Sequence, residues 1–515
     1  MHLKSLLKNS ALRYGDRNAI QYGDRRLTYS DTEHKSNMFA GALIKAGIIR
    51  EDRVALFLSN SPDFVISFFG SIKAGAVAVP LDQQYKATEI RAILNHAQPS
   101  VIVAEASALD VIRPLLPEFG CVKAVIGVSD EACDGTIGFD AFLSGGSAEE
   151  TSFVPSPDDV AVLMYTSFAS LKPRGVMLTH DSFVKEAEMS ARGYRQTQQD
   201  VMMLFALPMF HVFGLVSAVL GSVYSGSTIV VIPGTGLSIG SFMAAIEREK
   251  GTMYLGVPFI YSLAVDLAEK GGLTYNLDSM RIWASAGAPL SPSLAERFRK
   301  GYGREILDCY GLTEAVSHVT CPDLDSPVVP GSAGRALPGW KVKITDDAGH
   351  EVPAGTAGEI LVEGPVMKGY YKDPTATGQV LKNGRLRTGD LGRIDASGNL
   401  YITGRSKPTI IIKGQNIYPE DPESVIASHP GVKEAAVMGI GDRVRGEVIA
   451  AAVSVREGCR VTEAEIRQLC GDNLAGYKVP RKILFIDSLP RKKNGDIDKE
   501  TLRRELFLPP VFPVP

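Results

Sequence analysis

Short, continuously apolar runs alternate with amphipathic stretches along the chain up to about residue 312. The runs lack the polar alternation of a half-exposed sheet, so they predict strands that are buried on both faces. Such strands, separated by helices, are typical of parallel sheets covered on both sides. The predicted strands are 54–59, 76–81, 100–104, 160–164, 227–233, 253–258, 281–286 and 305–310, and the predicted helices include 63–73 and 88–96.

The pattern changes twice further along the chain. Between 340 and 401, short strands alternate with Gly and Asp turns, which favours antiparallel β structure and a small barrel. A compact α+β pattern follows, with strands 409–413, 432–439, 447–455 and 482–486, a helix at 420–428, and a second helix opened by the capping box of Thr462 and Glu465.

We therefore predict an α/β protein with a large N-terminal domain and a small mobile α+β C-terminal domain. The N-terminal domain, 1–404, would contain doubly wound mixed sheets plus a small β-barrel at about 340–403. A hinge at 405–408 would join it to the C-terminal domain, 409–515.

Composition and charge narrow the class of protein. A chain of 515 residues is too long for one core, and a net charge of −3 gives no basis for binding nucleic acid or an anionic membrane. Six scattered cysteines without a Cys-x-x-Cys pair argue against a disulfide framework or a structural zinc. The apolar stretch 201–224 is interrupted by Pro, His and Gly, so we expect a buried strand, turn and helix and no transmembrane segment. We expect a cytoplasmic protein, as a monomer or homo-oligomer.

Three loops that follow predicted strands carry candidate chemistry. The segment 165–175 reads Tyr-Thr-Ser-Phe-Ala-Ser-Leu-Lys-Pro-Arg-Gly, between a strand and a helix that begins near Thr179, where backbone N–H groups and a helix dipole hold anions. The others are Ser285-Ala286-Gly287-Ala288-Pro289 and Tyr310-Gly311-Leu312-Thr313-Glu314. Ligands of parallel sheets bind at this edge, where a Tyr ring can stack on a base and a Glu offers a hard oxygen for Mg²⁺.

Together with later segments, these loops resemble the motifs of the adenylate-forming superfamily of acyl-CoA synthetases, luciferases and peptide-synthetase adenylation domains. Thr388-Gly389-Asp390 resembles the ribose-binding motif, Gly404-Arg405-Ser406-Lys407 the hinge, and 411–419 the loop that forms the pantetheine tunnel. The resemblance extends from about Leu27 to Leu502 and comprises ten motifs in family order.

The resemblance implies ATP, Mg²⁺ and coenzyme A as cofactors and a small-molecule carboxylic acid as substrate. It implies that Glu314 binds Mg²⁺, that Arg405 contacts ribose or α-phosphate, and that Lys413 with Gly414 serves thioester formation. The remaining implied ATP-binding residues are Thr166, Ser167, Ser170, Lys172, Arg174, Gly287, Ala288, Pro289, Asp308, Tyr310, Gly311, Thr313 and Asp390. The implied substrate pocket contains His211, Phe213, Val257 and Ser285, although a lone His in an apolar run is more often a core residue.

Two segments depart from the family pattern, and both belong to the ATP half-reaction. Phe168 and Leu171 stand where the family loop has glycines, and neither has the conformational freedom of glycine. Asp496 stands at the position of the adenylation lysine, where a carboxylate would repel the phosphates. Loss of one preorganised electrostatic contact typically costs ~10²–10³ in rate.

We therefore expect an acyl-CoA synthetase with weakened adenylation. The alternative is a catalytically impaired homologue that binds a nucleotide or an acyl group, or that acts only on preformed acyl-AMP. Medium-chain, alicyclic, aromatic and dicarboxylic acids all remain open as substrates.

Overall fold

The computed structural model describes residues 2–128, 135–167, 172–233, 238–271, 274–405, 409–442, 446–492 and 497–507. The chain folds into two units. The first comprises Met1–Gln83, Ala97–Tyr165 and Gly175–Ser406, and the second comprises Gln84–His96, Thr166–Arg174 and Lys407–Pro515. The second unit therefore includes two short segments from the N-terminal part of the sequence.

An eight-stranded sheet contains the first group of buried strands. Its order is β20-β9-β8-β4-β3-β5-β6-β7. The pairs from β4 through β7 and the pair β4–β8 are parallel, whereas β20 joins β9 in antiparallel fashion. Its strands are β3 (Arg53–Phe57), β4 (Val77–Pro80), β5 (Val101–Glu105), β6 (Ala124–Val128), β7 (Ile137–Gly138), β8 (Val160–Ser167), β9 (Arg174–Thr179) and β20 (Gly369–Tyr370).

A seven-stranded sheet has the order β14-β13-β12-β10-β11-β1-β2. It is parallel except for the antiparallel hairpin of β1 with β2. Its strands are β1 (Asn18–Tyr22), β2 (Arg25–Thr28), β10 (Val201–Leu204), β11 (Thr228–Val231), β12 (Met253–Gly256), β13 (Ile282–Ser285) and β14 (Leu307–Asp308).

Two smaller antiparallel sheets complete the strands of the first unit. One has the order β15-β16-β17, formed by β15 (Tyr310–Gly311), β16 (His318–Cys321) and β17 (Arg335–Ala336). The other has the order β18-β19-β22-β21 with β23 paired to β22, formed by β18 (Lys341–Thr345), β19 (Gly358–Glu363), β21 (Leu381–Lys382), β22 (Arg385–Ile394) and β23 (Leu400–Arg405).

Helices cover the parallel sheets, and most begin at a residue that can cap them. Ser61 caps α3 and is followed by Pro at the first helical position, while Thr179 forms a capping box at the start of α7. The helices are α1 (Leu3–Tyr14), α2 (Tyr29–Lys45), α3 (Pro62–Lys73), α4 (Ala87–Ala97), α5 (Ala106–Ile112), α6 (Phe139–Ser144), α7 (His180–Gly193), α8 (Gly221–Ser225), α9 (Ile239–Glu249), α10 (Pro258–Glu269), α11 (Pro292–Tyr302), α12 (Pro374–Val380), α13 (Glu420–Ala427), α14 (Glu463–Asn473) and α15 (Lys499–Leu502). Segments of 3₁₀ or π helix occur at Arg113–Glu118, Phe213–Leu220, Thr313–Ala315, Gly476–Lys478 and Arg503–Phe507.

The second unit is built around one five-stranded sheet. Its order is β25-β24-β27-β26, and β28 pairs in parallel with β27. The strands are β24 (Ile410–Ile412), β25 (Gln415–Ile417), β26 (Val432–Asp442), β27 (Gly446–Val455) and β28 (Lys482–Phe485). The predicted capping box of Thr462 opens α14.

The predicted fold class is confirmed: mixed α/β sheets form the larger part and a smaller α+β part follows. The stretch 201–224 contains β10 and the helical turns that end at Ser225, as predicted, and among the described residues no helix is both long and apolar enough to cross a membrane. The helix predicted to begin near Thr179 does so, since Thr179 caps α7. Strand β9, which was not predicted, lies between this helix and the loop 165–175, so the helix N-terminus does not adjoin that loop.

Candidate functional site

Three motifs that are distant in sequence meet at Asp390. Asp390 lies on β22 directly opposite Arg405 on β23. Arg405 Nε lies 3.0 Å from Asp390 Oδ1, and the Tyr310 hydroxyl at the start of β15 donates to Asp390 Oδ2 at 2.7 Å. Both carboxylate oxygens therefore have a donor, each with lone-pair capacity left for a further hydrogen bond.

Charge and burial oppose each other at this carboxylate. Burial raises the pKa of Asp390, while the Arg405 guanidinium and the Tyr310 hydroxyl act to lower it. The Arg405 side chain is 33% exposed, although Asp390 is buried. The cluster therefore reaches solvent on its cationic side.

A β-bulge shapes the Thr388-Gly389-Asp390 motif. The register of β19 with β22 shifts between Glu359 and Leu361, and Gly389 has a φ of +75°. The Gly389 N–H donates to Glu359 Oε1 at 3.2 Å, and the Thr388 hydroxyl donates to the Ile360 carbonyl at 2.7 Å. Because of this bulge, the residues of the motif are not in regular register with β19.

Glu314 lies in the 3₁₀ turn that follows β15. Its Oε1 accepts a hydrogen bond from the Tyr370 hydroxyl at 2.9 Å. The turn packs closely, since a Cβ at Gly311 would lie 1.7 Å from the Ser317 carbonyl oxygen. In the part of the chain that the structure describes, no group of three His, Cys, Asp or Glu side chains could hold a metal. A Mg²⁺ ion at Glu314 would thus take most of its ligands from phosphate oxygens and water.

Asp308 on β14 pairs with Ser285 on β13 and so lies between the two predicted base-side loops. Burial raises the pKa of Asp308 well above the usual range, while the backbone N–H groups of Leu290 and Cys309 act to lower it. Gly287 has a φ of +78°, which favours glycine in the first of these loops. Ala288 and Pro289 follow it, and the wholly buried Ser285 Oγ has no hydrogen-bond partner in the structure described.

His211 and Phe213, both predicted to line the substrate pocket, are in contact. The Phe213 N–H donates to His211 Nδ1 at 3.3 Å, and burial lowers the pKa of His211 to about 4. His211 is therefore neutral at pH 7, with its proton on Nε2. Val257 packs instead in the core cluster that contains Trp283, which does not include Phe213.

Only part of the predicted phosphate loop can be located. Thr166 lies near the end of β8 with its hydroxyl buried, Lys172 is exposed, and Arg174 begins β9. Ser167 belongs to β8 through its main chain. Phe168, Ser170 and Leu171 lie outside the described residues, as do Lys407 and Asp496.

Lys413 and Gly414 form the two-residue turn between β24 and β25. Both have positive φ, 52° and 84°, which is the geometry of a tight type I′ hairpin. Lys413 is exposed. The turn belongs to the second unit, and the Asp390 cluster belongs to the first.

Two residues at the site were not predicted. Tyr370 supports Glu314, and Glu359 supports Gly389, at separations of 56 and 30 residues. A resemblance to family motifs does not show which side chain touches which.

The fold and the site define a two-part α/β protein in which an aspartate, an arginine and a tyrosine from three different strands are in contact. The chain belongs to the AMP-binding enzyme family: the model of the AMP-binding enzyme matches residues 7–371, and that of the AMP-binding enzyme C-terminal domain matches residues 422–496.

Proteins that are similar to this chain include CoA ligases. The chain is 34% identical to a long-chain-fatty-acid–CoA ligase, FadD13, of Mycobacterium tuberculosis, over 94% of this chain and 93% of that protein. It is 33% identical to the 3-[(3aS,4S,7aS)-7a-methyl-1,5-dioxo-octahydro-1H-inden-4-yl]propanoyl:CoA ligase of Rhodococcus jostii, over 97% and 98%. The structure is similar to that of the o-succinylbenzoate CoA synthetase of Bacillus subtilis, with a TM-score of 0.85, 30% identity and coverage of 97% of each chain.

Proposed function

We propose that this protein is an AMP-forming acyl-CoA synthetase whose adenylation step is weak. A carboxylic acid and ATP would give acyl-AMP and pyrophosphate, and CoA would then displace AMP to give the thioester. The observation that supports this most directly is the contact of Tyr310, Asp390 and Arg405, which unites three motifs implied to bind one nucleotide.

The Asp390 cluster suits a ribose. A carboxylate whose two oxygens are already oriented by donors can accept the paired hydroxyls of a sugar without reorganising. Arg405 would add positive charge toward the α-phosphate, and its partial exposure leaves it able to reach a ligand. ATP would supply the adenylyl group, and Glu314 would hold Mg²⁺.

His211 suits the carboxylate of the substrate. Because its Nδ1 accepts the Phe213 N–H, its Nε2–H is left as the donor, and a neutral imidazole can bind a carboxylate oxygen without taking up a proton. The relatives named above act on acids as different as long fatty chains and a fused-ring propanoate. The acid used by this chain is therefore not specified by the family.

The proposal of weak adenylation rests on the sequence at Phe168, Leu171 and Asp496. A carboxylate at 496 removes the cation that the resemblance implies, and two bulky residues replace loop glycines. The second candidate function follows from the same residues: a homologue that binds a nucleotide or acyl ligand, or that acts only on preformed acyl-AMP. Lys413 and Gly414 would serve the thioester step in that case too.

Pyrophosphate release tests the proposal. The full-length protein is incubated with ATP and Mg²⁺ and a panel of medium-chain, alicyclic, aromatic and dicarboxylic acids, with and without CoA. Release that depends on one class of acid is expected, at a low rate. No pyrophosphate release with any acid, together with thioester formation from synthetic acyl-AMP, would support the second candidate. Absence of both activities would refute the assignment as a synthetase.

Asp496→Lys measures how far the missing cation limits the reaction. We expect pyrophosphate release to rise by about 10²–10³, the typical value of one preorganised contact. Asp487→Lys is a matched control because Asp487 is exposed and the charge change is the same. An equal response of both variants would show a general charge effect and would contradict the assignment of position 496.

A further inference from the structure

Two buried thiols lie side by side next to Tyr310, just before β15 and at the end of β16. Cys309 Sγ and Cys321 Sγ are 3.4 Å apart, both residues are buried, and both thiols are free. The register explains their approach: Tyr310 pairs with Thr320 in an antiparallel ladder, which places Cys309 opposite Cys321. The pair is therefore fixed by strand pairing.

Polar contacts surround the Cys309 side of this pair. The Tyr194 hydroxyl lies 3.4 Å from Cys309 Sγ and 3.3 Å from His318 Nε2. The Cys309 N–H donates to the Ser285 carbonyl at 2.8 Å, and the next residue, Tyr310, bonds Asp390. Movement of Cys309 Sγ would therefore disturb both its contact with Tyr194 and the position of Tyr310 at the Asp390 cluster.

We propose that Cys309 and Cys321 are a reversible dithiol–disulfide site, and that closing the disulfide displaces Tyr310 and weakens nucleotide binding. The first half of this proposal, disulfide formation, is independent of the proposed function. The second half, the effect on nucleotide binding, rests on it. A disulfide bond measures about 2.05 Å, so the sulfurs must approach by about 1.4 Å, a movement within the reach of side-chain rotation and a small strand shift.

The oxidant we propose is a hydroperoxide. One thiol takes an oxygen atom to become a sulfenic acid with release of water or alcohol, and the second thiol displaces the hydroxyl as another water while the S–S bond forms. The two thiol protons leave in the water, and the peroxide O–O bond is reduced. Burial raises the pKa of Cys309, so the reactive thiolate is scarce and the reaction is slow relative to an exposed thiol.

Mass spectrometry tests the first half. To isolate the pair, Cys121, Cys133 and Cys459 are replaced by Ser, leaving Cys470 as a buried thiol outside the pair. After hydrogen peroxide treatment we expect the protein to lose two hydrogen masses, to yield a Cys309–Cys321 linked peptide, and to recover both with dithiothreitol. Cys321→Ser should abolish the loss, and Cys470→Ser should not. Oxygen addition at 309 and 321 without a linked peptide, or no reaction where the urea-unfolded protein forms the disulfide, would overturn the proposal.

Binding of ATP to the same samples tests the second half. We expect oxidation to weaken ATP binding about threefold to tenfold, the scale of one hydrogen-bonded contact, with recovery after reduction and no change in Cys321→Ser. Unchanged affinity in the linked protein would overturn the effect on Tyr310. Absence of ATP binding by the reduced protein would instead overturn the nucleotide assignment, and the linked peptide would still report on the thiols.

Discussion

Two clusters of buried carboxylates, one in each unit, differ in how their cation meets solvent. In the first unit Asp390 is paired with Arg405, whose side chain is 33% exposed. In the second unit Lys478 Nζ lies 2.7 Å from Glu89 and 3.3 Å from Asp421, and all three side chains are at most 5% exposed. The first cluster is open on one side, whereas the second is enclosed.

The hydrogen bonds reinforce this difference. Glu89 Oε2 also accepts the N–H groups of Lys86 at 3.1 Å and Ala475 at 2.8 Å, so its hydrogen-bonding capacity is used within the unit. Each Asp390 oxygen has one side-chain donor, so lone pairs remain, and the Arg405 side chain beside it reaches solvent. Burial of charge alone therefore does not identify a functional site. A buried carboxylate becomes a candidate site when a ligand can reach its unused lone pairs.

The largest effect is expected at the enclosed cluster. Lys478→Met would leave Glu89 and Asp421 without a cation, and removal of one partner of a buried ion pair costs about 3–5 kcal/mol. We expect this loss in the free energy of unfolding, measured by urea titration, with weaker hydrogen-exchange protection of α13 and α14. A loss below about 1 kcal/mol would show that the cluster is not a closed ion pair.

A neutral version of the cluster is the control. Lys478→Met combined with Glu89→Gln and Asp421→Asn removes the unpaired charges, so we expect most of the lost free energy to return. Failure of this recovery would assign the destabilisation to lost packing of the Lys478 side chain.

The pH dependence of stability is the next largest effect. Burial raises the pKa of Asp421 from 3.8 to about 6, against the attraction of Lys478 and with repulsion from Glu89 and Glu420. The folded state therefore holds a proton that the unfolded state has lost, and the resulting stability is present below pH 4 and disappears as pH rises through 6. The raised pKa of Asp421 corresponds to at most about 3 kcal/mol in the free energy of unfolding. Urea titrations at pH 4.5 and 7.5 should show this fall, and Asp421→Asn should remove it. An equal fall in Asp421→Asn would assign it to other groups.

The sequence predicted many of the buried strands of the two parallel sheets, because these strands are continuous apolar runs. The predicted strand 54–59 appears as Arg53–Phe57, and the predicted helix 63–73 as Pro62–Lys73. The sheet β15-β16-β17 was missed because its strands have two to four residues and no periodicity to read. Strand β9, Arg174–Thr179, was also not predicted.

The site could be predicted only as a set of separate motifs. The resemblance indicated Tyr310, Asp390 and Arg405, but their contacts depend on the bulge at Gly389 and on pairing across 80 residues. The enclosed cluster was not predicted, since Glu89 and Lys478 are 389 residues apart. Local patterns contain no signal for such separations.

A smaller effect is expected at the open cluster. Asp390→Asn keeps the shape but removes the charge that Arg405 and a ribose would share. A hydrogen bond to a charged group is worth about 1.5–3 kcal/mol, so we expect ATP affinity to fall about 10–100-fold, measured by calorimetry. Asp395→Asn is the comparison variant, because Asp395 lies beyond β22 and bonds Asn399 and Tyr401 instead. Equal losses in both variants would mean that Asp390 acts only through the stability of the sheet.

The smallest effect distinguishes the Glu314 side of the site, assigned to Mg²⁺, from the Asp390 side, assigned to the nucleotide. Tyr370→Phe removes the hydroxyl that donates to Glu314 Oε1 at 2.9 Å but leaves the ring in place. One such hydrogen bond is worth about 0.5–1.5 kcal/mol, so we expect the Mg²⁺ concentration for half-maximal pyrophosphate release to shift by about twofold to tenfold, with little change in affinity for ATP measured without Mg²⁺. The direction in which the Mg²⁺ requirement changes is also a test. Loss of an orienting donor should raise the Mg²⁺ requirement, whereas a fall would show that Tyr370 competes with the metal for the Glu314 carboxylate. A shift in metal-free ATP affinity of the same size would contradict the assignment of Glu314 to the metal and would place it with Asp390 on the nucleotide side.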